Sequence, residues 1–138
     1  GAEIIALDAT PRRRPGGETP EEILRQIREH YPDALVMGEI STLEEAERII
    51  PMGFDLISTT LSGYTRESQE VKAVNLDLIR QIHAITDIPI IAEGKIRCEQ
   101  EAVEALKAGA HAVVVGTSIT RPEIITERYV EAIREAED

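Results

Sequence analysis

The sequence predicts an α/β fold: five consecutive strand-helix units of a parallel βα repeat, forming part of a TIM (β/α)8 barrel within a single domain over residues 1–138. Three observations predict it. Five short runs rich in Ile, Val and Leu recur along the chain, segments with helical spacing and start signals separate them, and polar residues gather directly after each run. Uninterrupted alternation of this kind requires a parallel sheet with right-handed crossovers, as in a doubly wound sheet or a (β/α)8 barrel.

The runs Ile4–Leu7, Ala34–Met37, Asp55–Ser58, Ile88–Ala92 and Ala112–Val115 read as strands. Their side chains are apolar in succession, the pattern of a parallel sheet covered on both faces. Thr19-Pro20-Glu21-Glu22 is a capping box with Pro at the first helical position, and Ile23, Ile27 and Tyr31 follow at helical intervals. Thr42 with Glu45 repeats the box before Ala46 and Ile49, and Thr120 with Glu123 repeats it before Ile125, Tyr129 and Ile133. Ile79, Ile82 and Ile85 mark a further helix. Ala102, Val103 and Leu106 mark one that Gly109 ends. Glycines at helix ends also precede the first, third and fifth strands, a weak internal repeat.

Composition bounds the function. With 42% apolar and 30% charged residues the chain is expected to be globular, and its net charge of −11 argues against nucleic acid, which is held by clustered Lys and Arg. No apolar run approaches the roughly 20 residues that cross a bilayer, so no membrane partner is expected. The single cysteine, Cys98, cannot form an internal disulfide and the three histidines are scattered, which suggests a reducing cytoplasm and no metal site.

In either candidate fold the C-terminal ends of the strands carry the site. Gly116-Thr117 after the last strand, with Gly94 after the one before, offer exposed backbone N–H groups for a phosphate, and Arg121 adds charge. A plain turn and a solvated arginine are the bland alternative. Glu93 at a strand end is suited to general acid-base work, the alternative being a carboxylate paired with Lys95 or an arginine. Asp8 has the same placement, either orienting substrate hydroxyls or anchoring the Arg12-Arg13-Arg14 stretch behind it. Thr59 to Thr65, including Thr60 and Tyr64, form a hydroxyl-rich loop of a kind that binds sugars.

Read together, the stretches Ile4 to Thr10, Thr59 to Thr65, Ile91 to Gly94 and Val114 to Pro122 closely resemble the N-acetylmannosamine-6-phosphate 2-epimerase family of bacterial sialic acid catabolism, over essentially the whole chain. The resemblance implies interconversion of N-acetylmannosamine 6-phosphate and N-acetylglucosamine 6-phosphate by removal and return of the C2 proton, without metal or redox cofactor. It implies Glu93 as an acid/base group, Asp8 as a contact near the reacting end, and Gly94, Gly116, Thr117 and Arg121 as the phosphate seat. Arg14, Thr60, Tyr64 and Lys95 are further substrate-binding candidates. The family usually has Arg where Lys95 stands, Asp where Glu39 stands and Ala where Gly38 stands, which leaves the role of Glu39 open.

The resemblance also implies a second essential group, a lysine ending the third barrel strand, whereas residues 1–138 correspond to the fourth strand onward. About 250 residues make such a barrel. The chain is therefore expected to be a C-terminal part, inactive alone, with its partner a complementing N-terminal segment or further copies of itself in a homo-oligomer. A second expectation is a self-associating, non-catalytic module that keeps the amino-sugar phosphate site.

Overall fold

A computed structural model describes residues 1–136. Eleven principal elements follow in order: β1 (Ile4–Asp8), α1 (Pro20–His30), β2 (Leu35–Glu39), α2 (Leu43–Ile49), β3 (Leu56–Ser58), α3 (Leu76–Ile85), β4 (Ile90–Glu93), α4 (Glu99–Lys107), β5 (Ala112–Val114), α5 (Thr117–Thr120) and α6 (Pro122–Glu135). All strand pairs are parallel and their order is β1-β2-β3-β4-β5. That sequential order decides between the two candidate folds, because a doubly wound sheet reverses its order at a switch point. The sheet is wound in one direction, as in a barrel.

Period-two alternation divides each strand between two faces. Val36, Ile57, Ile90 and Ala92 point to the outer face and are buried under the helices, where Ile40, Ile49, Leu78, Ile79, Ile82 and Ala105 complete the core. Gly38 lies there too: a Cβ would press into Ile49 and Phe54, so the glycine lets α2 close onto β2. The inner face carries Ile4, Leu35 and Val114, all exposed. The expectation of a sheet covered on both faces therefore fails for the inner side. At these positions the face stands open, although Ser58 and Ile91 on the same face are buried, and among the described residues the outer edges of β1 and β5 have no strand partner.

The capping boxes at Thr19 with Glu22 and at Thr42 with Glu45 form as the sequence predicts. The third does not. Thr120 ends α5, with its hydroxyl on the Gly116 carbonyl, while α6 starts after Arg121 with Pro122 at its first position and no side-chain cap. Proline's fixed φ starts the helix, and Glu123 turns to Arg121 instead of reaching back. In α4 the buried residue is Ala105, whereas Val103 and Leu106 are exposed. Gly109 ends that element at φ 113°, with the His83 ring where a Cβ would stand.

One polar clasp ties three elements together. Asp55 Oδ2 accepts from the Val36 N–H at 2.7 Å and from Arg28 Nη2 at 2.6 Å, and Arg28 also donates to the carbonyls of Ala34 and Gly53. Burial alone would raise the Asp55 carboxyl, but the Val36 N–H and the Arg28 guanidinium overcome it and hold it below its usual value of 3.8. A depressed native value contributes stability above pH 3.8, lost as the pH falls through it. Asp55→Asn is expected to lower stability at pH 7 by about 1–3 kcal/mol. Urea unfolding at pH 7 and pH 3 checks it, the difference from the unsubstituted chain shrinking at the lower pH.

Candidate active site

The C-terminal ends of the strands frame a cleft of about 560 Å³ whose lining includes Thr60, Tyr64, Glu93, Gly94, Lys95 and Thr117. Register explains the arrangement. Asp8 pairs with Glu39, Glu39 with Ser58 and Ser58 with Ile91, so these four side chains form one row on the inner face. Two residues further along β3 and β4, Thr60 and Glu93 form the next row. Thr60 Oγ1 donates to Glu93 Oε2 at 3.0 Å and lies 2.7 Å from Ser58 Oγ.

The backbone of Glu93 is fixed independently, since Thr59 Oγ1 donates to its carbonyl at 2.9 Å and accepts from its N–H at 3.1 Å. No salt bridge reaches the Glu93 carboxylate among the described residues, so the alternative of a pairing with Lys95 does not form. Lys95 Nζ lies over the Tyr64 ring at 4.1 Å, a cation–π contact. Among the described residues Lys95 is the non-glycine with positive φ, at 60°, directly after Gly94 at 99°, so the turn after β4 passes through two left-handed residues.

Asp8 is anchored. Burial alone would raise its carboxyl, but the Thr10 hydroxyl and N–H, then Arg12 and Arg14, outweigh it and keep it ionised below 3.8. Arg12 bonds Asp8 Oδ2 at 2.6 Å, and Arg14 donates to the carbonyls of Asp8, Thr10 and Arg12. Arg14 thus braces the loop and does not line the cleft. Arg121 likewise lies outside the lining, paired with Glu123 at 2.5 Å. Much of the hydroxyl-rich loop is spent internally, with Thr65 and Ser68 on each other and Ser62 held by Asn75. Thr60 and Tyr64 line the cleft, Thr60 with its hydroxyl on Glu93 and Ser58 and Tyr64 with Lys95 over its ring.

Two features escaped the sequence reading. Arg97 and Arg128 border the cleft, with Arg128 Nη1 on the Arg97 carbonyl at 3.1 Å. No motif marks either arginine. Glu39 is the other: burial pushes its carboxyl above the usual 4.5, the Thr60 hydroxyl opposes this, and the charges of Glu93 and Asp8 add to it. Its placement at a strand end was legible, but its tendency to hold a proton depends on neighbours from three other strands.

At the other end of the cleft Gly116 is the N-cap of α5 and supplies no side-chain cap. The first N–H groups of a helix have no acceptor within it, so those of Thr117 and Ser118 are available to an anion. Among the described residues no cluster of His, Cys, Asp and Glu could hold a metal, and no helix is long and apolar enough to cross a membrane.

A raised native value for Glu39 means the folded chain holds this proton more tightly than the unfolded one. That contribution is present below 4.5 and is lost as the pH rises through the raised value. Glu39→Gln is expected to raise the urea midpoint at pH 7 and to give no gain at pH 4, as read by circular dichroism.

Comparison with known proteins gives a consistent result. A family model described as "Putative N-acetylmannosamine-6-phosphate epimerase" matches residues 1–135. A protein of Caldanaerobacter subterraneus subsp. tengcongensis named as that 2-epimerase is 53% identical over 135 residues, 98% of this chain and 57% of its own length. A protein of the same name from Enterobacter sp. is 47% identical, over 95% of this chain and 57% of its own. The solved N-acetylmannosamine-6-phosphate 2-epimerase from Clostridium perfringens superposes with a TM-score of 0.87 at 44% identity, covering 94% of this chain and 56% of that one. A thiamine phosphate pyrophosphorylase from Pyrococcus furiosus, at TM-score 0.62 and 24% identity, shares the fold. The chain spans 57% of the length of the two curated relatives described.

Proposed function

The chain belongs to the N-acetylmannosamine-6-phosphate epimerase family, and on that footing we propose that its five units supply the carboxylates and the phosphate seat of a site exchanging the C2 proton between N-acetylmannosamine 6-phosphate and N-acetylglucosamine 6-phosphate. The observation that carries this reading is the polarity of the cleft. Asp8 and Glu39 end β1 and β2 on the same face but outside the cleft's lining, Glu93 ends β4 within it, and free N–H groups with Lys95 and Arg128 line it past β4 and β5.

Removing a proton next to a carbonyl demands an opened sugar ring, a base at C2 and a donor to the enolate oxygen. Glu93 moves the proton at C2. Glu39, which favours its protonated form, is suited to donate to the developing oxyanion. Asp8, held ionised by Thr10 and Arg12, meets hydroxyls at the reacting end, and Thr60 and Tyr64 border the sugar. The phosphate rests on the backbone at Gly94, Gly116 and Thr117 with Lys95 and Arg128 beside it, and Arg121 joins by exchanging Glu123 for the phosphate. Arg14 acts by holding the loop behind Asp8.

Reprotonation on the opposite face of C2 calls for a second proton-carrying group. Of Lys72, Lys95 and Lys107, Lys95 is the one that borders the cleft, and its ammonium is engaged on Tyr64. We therefore assign the second group to polypeptide that pairs with the open edge of β1, a complementing segment or another copy, within a cytoplasmic enzyme. An open strand edge is a template for such pairing.

Incubation with N-acetylglucosamine 6-phosphate in deuterated water, followed by proton NMR at C2, tests the assignment. The chain joined to three upstream strand-helix units of a relative is expected to exchange the proton, and Glu93→Gln to slow exchange by about 10²–10⁴-fold. Residues 1–138 alone are expected to bind without exchange. Exchange by the chain alone refutes the need for a second group from outside, and undiminished exchange in Glu93→Gln removes Glu93 from the chemistry. The open β1 edge also favours a second reading, a self-associating binding module. It prevails if the extended protein binds the sugar phosphate, fails to exchange, and sediments as an oligomer.

A further inference from the structure

Among the described residues the Glu93 carboxylate hydrogen-bonds through one of its two oxygens, and that contact is the end of a short chain of hydroxyls. Thr60 Oγ1 donates to Oε2 at 3.0 Å, Ser58 Oγ lies 2.7 Å from Thr60 Oγ1, and Ser58 Oγ is 3.2 Å from the Ile91 carbonyl. Ser58 is fully buried. We propose that Thr60 is a positioning residue, held by Ser58, that occupies Oε2 of Glu93 and thereby confines the transferable proton to Oε1, the oxygen free to face the cleft. The inference rests on the reading of Glu93 as the group that moves the C2 proton.

A threonine hydroxyl has a single proton to give and lone pairs with which to accept. Ser58 Oγ is closer to Thr60 Oγ1 (2.7 Å) than to the Ile91 carbonyl (3.2 Å) and supplies its one proton to Thr60, and Thr60 turns its own to Oε2 of Glu93 when Glu39, which also reaches the Thr60 hydroxyl, carries a proton itself. This arrangement survives both states of Glu93, because the oxygen of a protonated carboxyl that lacks the proton still accepts a hydrogen bond. No hydroxyl has to rotate during turnover. A proton taken from a substrate goes to Oε1 and returns from Oε1, so the distance to the reacting carbon is the same in both directions.

Geometry also accounts for how the chain is built. Ser58 pairs with Ile91 across β3 and β4, and one pleat further Thr60 faces Glu93 on the same inner face. Thr59, between them, points the other way and locks the Glu93 backbone through its N–H and carbonyl. Two successive threonines thus hold one glutamate, main chain from one face and carboxylate from the other. Other charged groups face the same region: Asp8 and Glu39 from β1 and β2, and Lys95, Arg97 and Arg128 around the cleft, with Tyr64 beside them. Their influence is common to the variants below.

The test uses two readouts. In substrate-free protein with ¹³C-labelled glutamate, Thr60→Val removes the donor to Oε2 and is expected to move the Glu93 carboxyl titration to higher pH, because a lost donor disfavours the charged form. Thr60→Ser is expected to restore it, and Ser58→Ala to give a smaller shift in the same direction. Repeating the titration in a Glu39→Gln background separates Glu93 from its neighbour. In the C2 exchange assay on the extended protein, Thr60→Val is expected to lower kcat about 10- to 100-fold with KM changed less than threefold, and to shift the acidic limb of the rate profile upward.

An unmoved Glu93 titration in Thr60→Val, or a serine variant that behaves like valine, overturns the proposal. So does a raised KM at unchanged kcat, which would make Thr60 a substrate contact. If no extended protein exchanges the C2 proton, the epimerase reading fails, while the titration still decides whether Thr60 governs Oε2.

Discussion

The site depends on the register that sets Ser58 between Glu39 and Ile91. Parallel pairing fixes which side chains stand in a row, and a slip of one residue along β3 would turn Ser58 and Thr60 to the outer face and bring Ile57 and Thr59 inward. That slip is costly because the outer face is where Ile57 is fully buried beneath the helices. Removing a buried isoleucine from such a core costs about 2–5 kcal/mol, comparable to a large share of a domain's stability. The hydrophobic face therefore enforces the polar one. The Arg28–Asp55 clasp acts on the same register from the other end, pinning the Val36 N–H just where β3 begins.

Once the register holds, three carboxyls are brought to one edge, and the environments of two of them, Asp8 and Glu39, act in opposite directions. Asp8 is met by the Thr10 N–H, the Thr10 hydroxyl and two guanidiniums, so its charge is favoured. Glu39 is more buried, shares the Thr60 hydroxyl with Glu93 and feels the charges of Glu93 and Asp8, so its proton is favoured. Divergence of this kind within one site is how a single fold provides acid and base together. At neutral pH the two act oppositely on folding, the bonded charge of Asp8 favouring it and the buried, repelled carboxyl of Glu39 opposing it.

The sequence made the repeat, the order of elements and the polar edge legible because each rests on local chemistry: apolar runs, capping boxes and turns. Two capping boxes formed as spelled; the third, Thr120 with Glu123, was overridden by Pro122, which starts α6 without help and leaves Glu123 to Arg121. At the site, Glu93, Gly94, Gly116 and Thr117 could be named from position alone and do come together. Arg14 and Arg121 could not be placed, since a guanidinium reaches several partners and only the fold decides which carbonyl or carboxylate is nearer. Arg128 lies two turns into α6, with nothing in its neighbourhood to distinguish it from Arg134. The exposure of the inner face was invisible for a different reason, as an apolar strand reads the same whether or not another layer covers it.

An overall charge of −11 sits oddly with a phosphate ligand only if charge acts at long range. At physiological ionic strength the screening length is about 8 Å, so acidic side chains on the outer helices are largely hidden from the cleft. What a dianion meets is local: Lys95, Arg97, Arg128 and the leading N–H groups of α5 line the cleft past β4 and β5, with Glu93 at the end of β4 and Glu39 back at the end of β2. Within about 8 Å the carboxylates repel a phosphate and the cations attract it, so only one of the two orientations of an elongated sugar phosphate is favourable. On the proposed reading the phosphate turns toward β5 and α6, which carries the far end of the ligand to β4. A net acidic chain is thus compatible with one small anion, and the carboxylates that would act on that ligand also select the direction in which it enters.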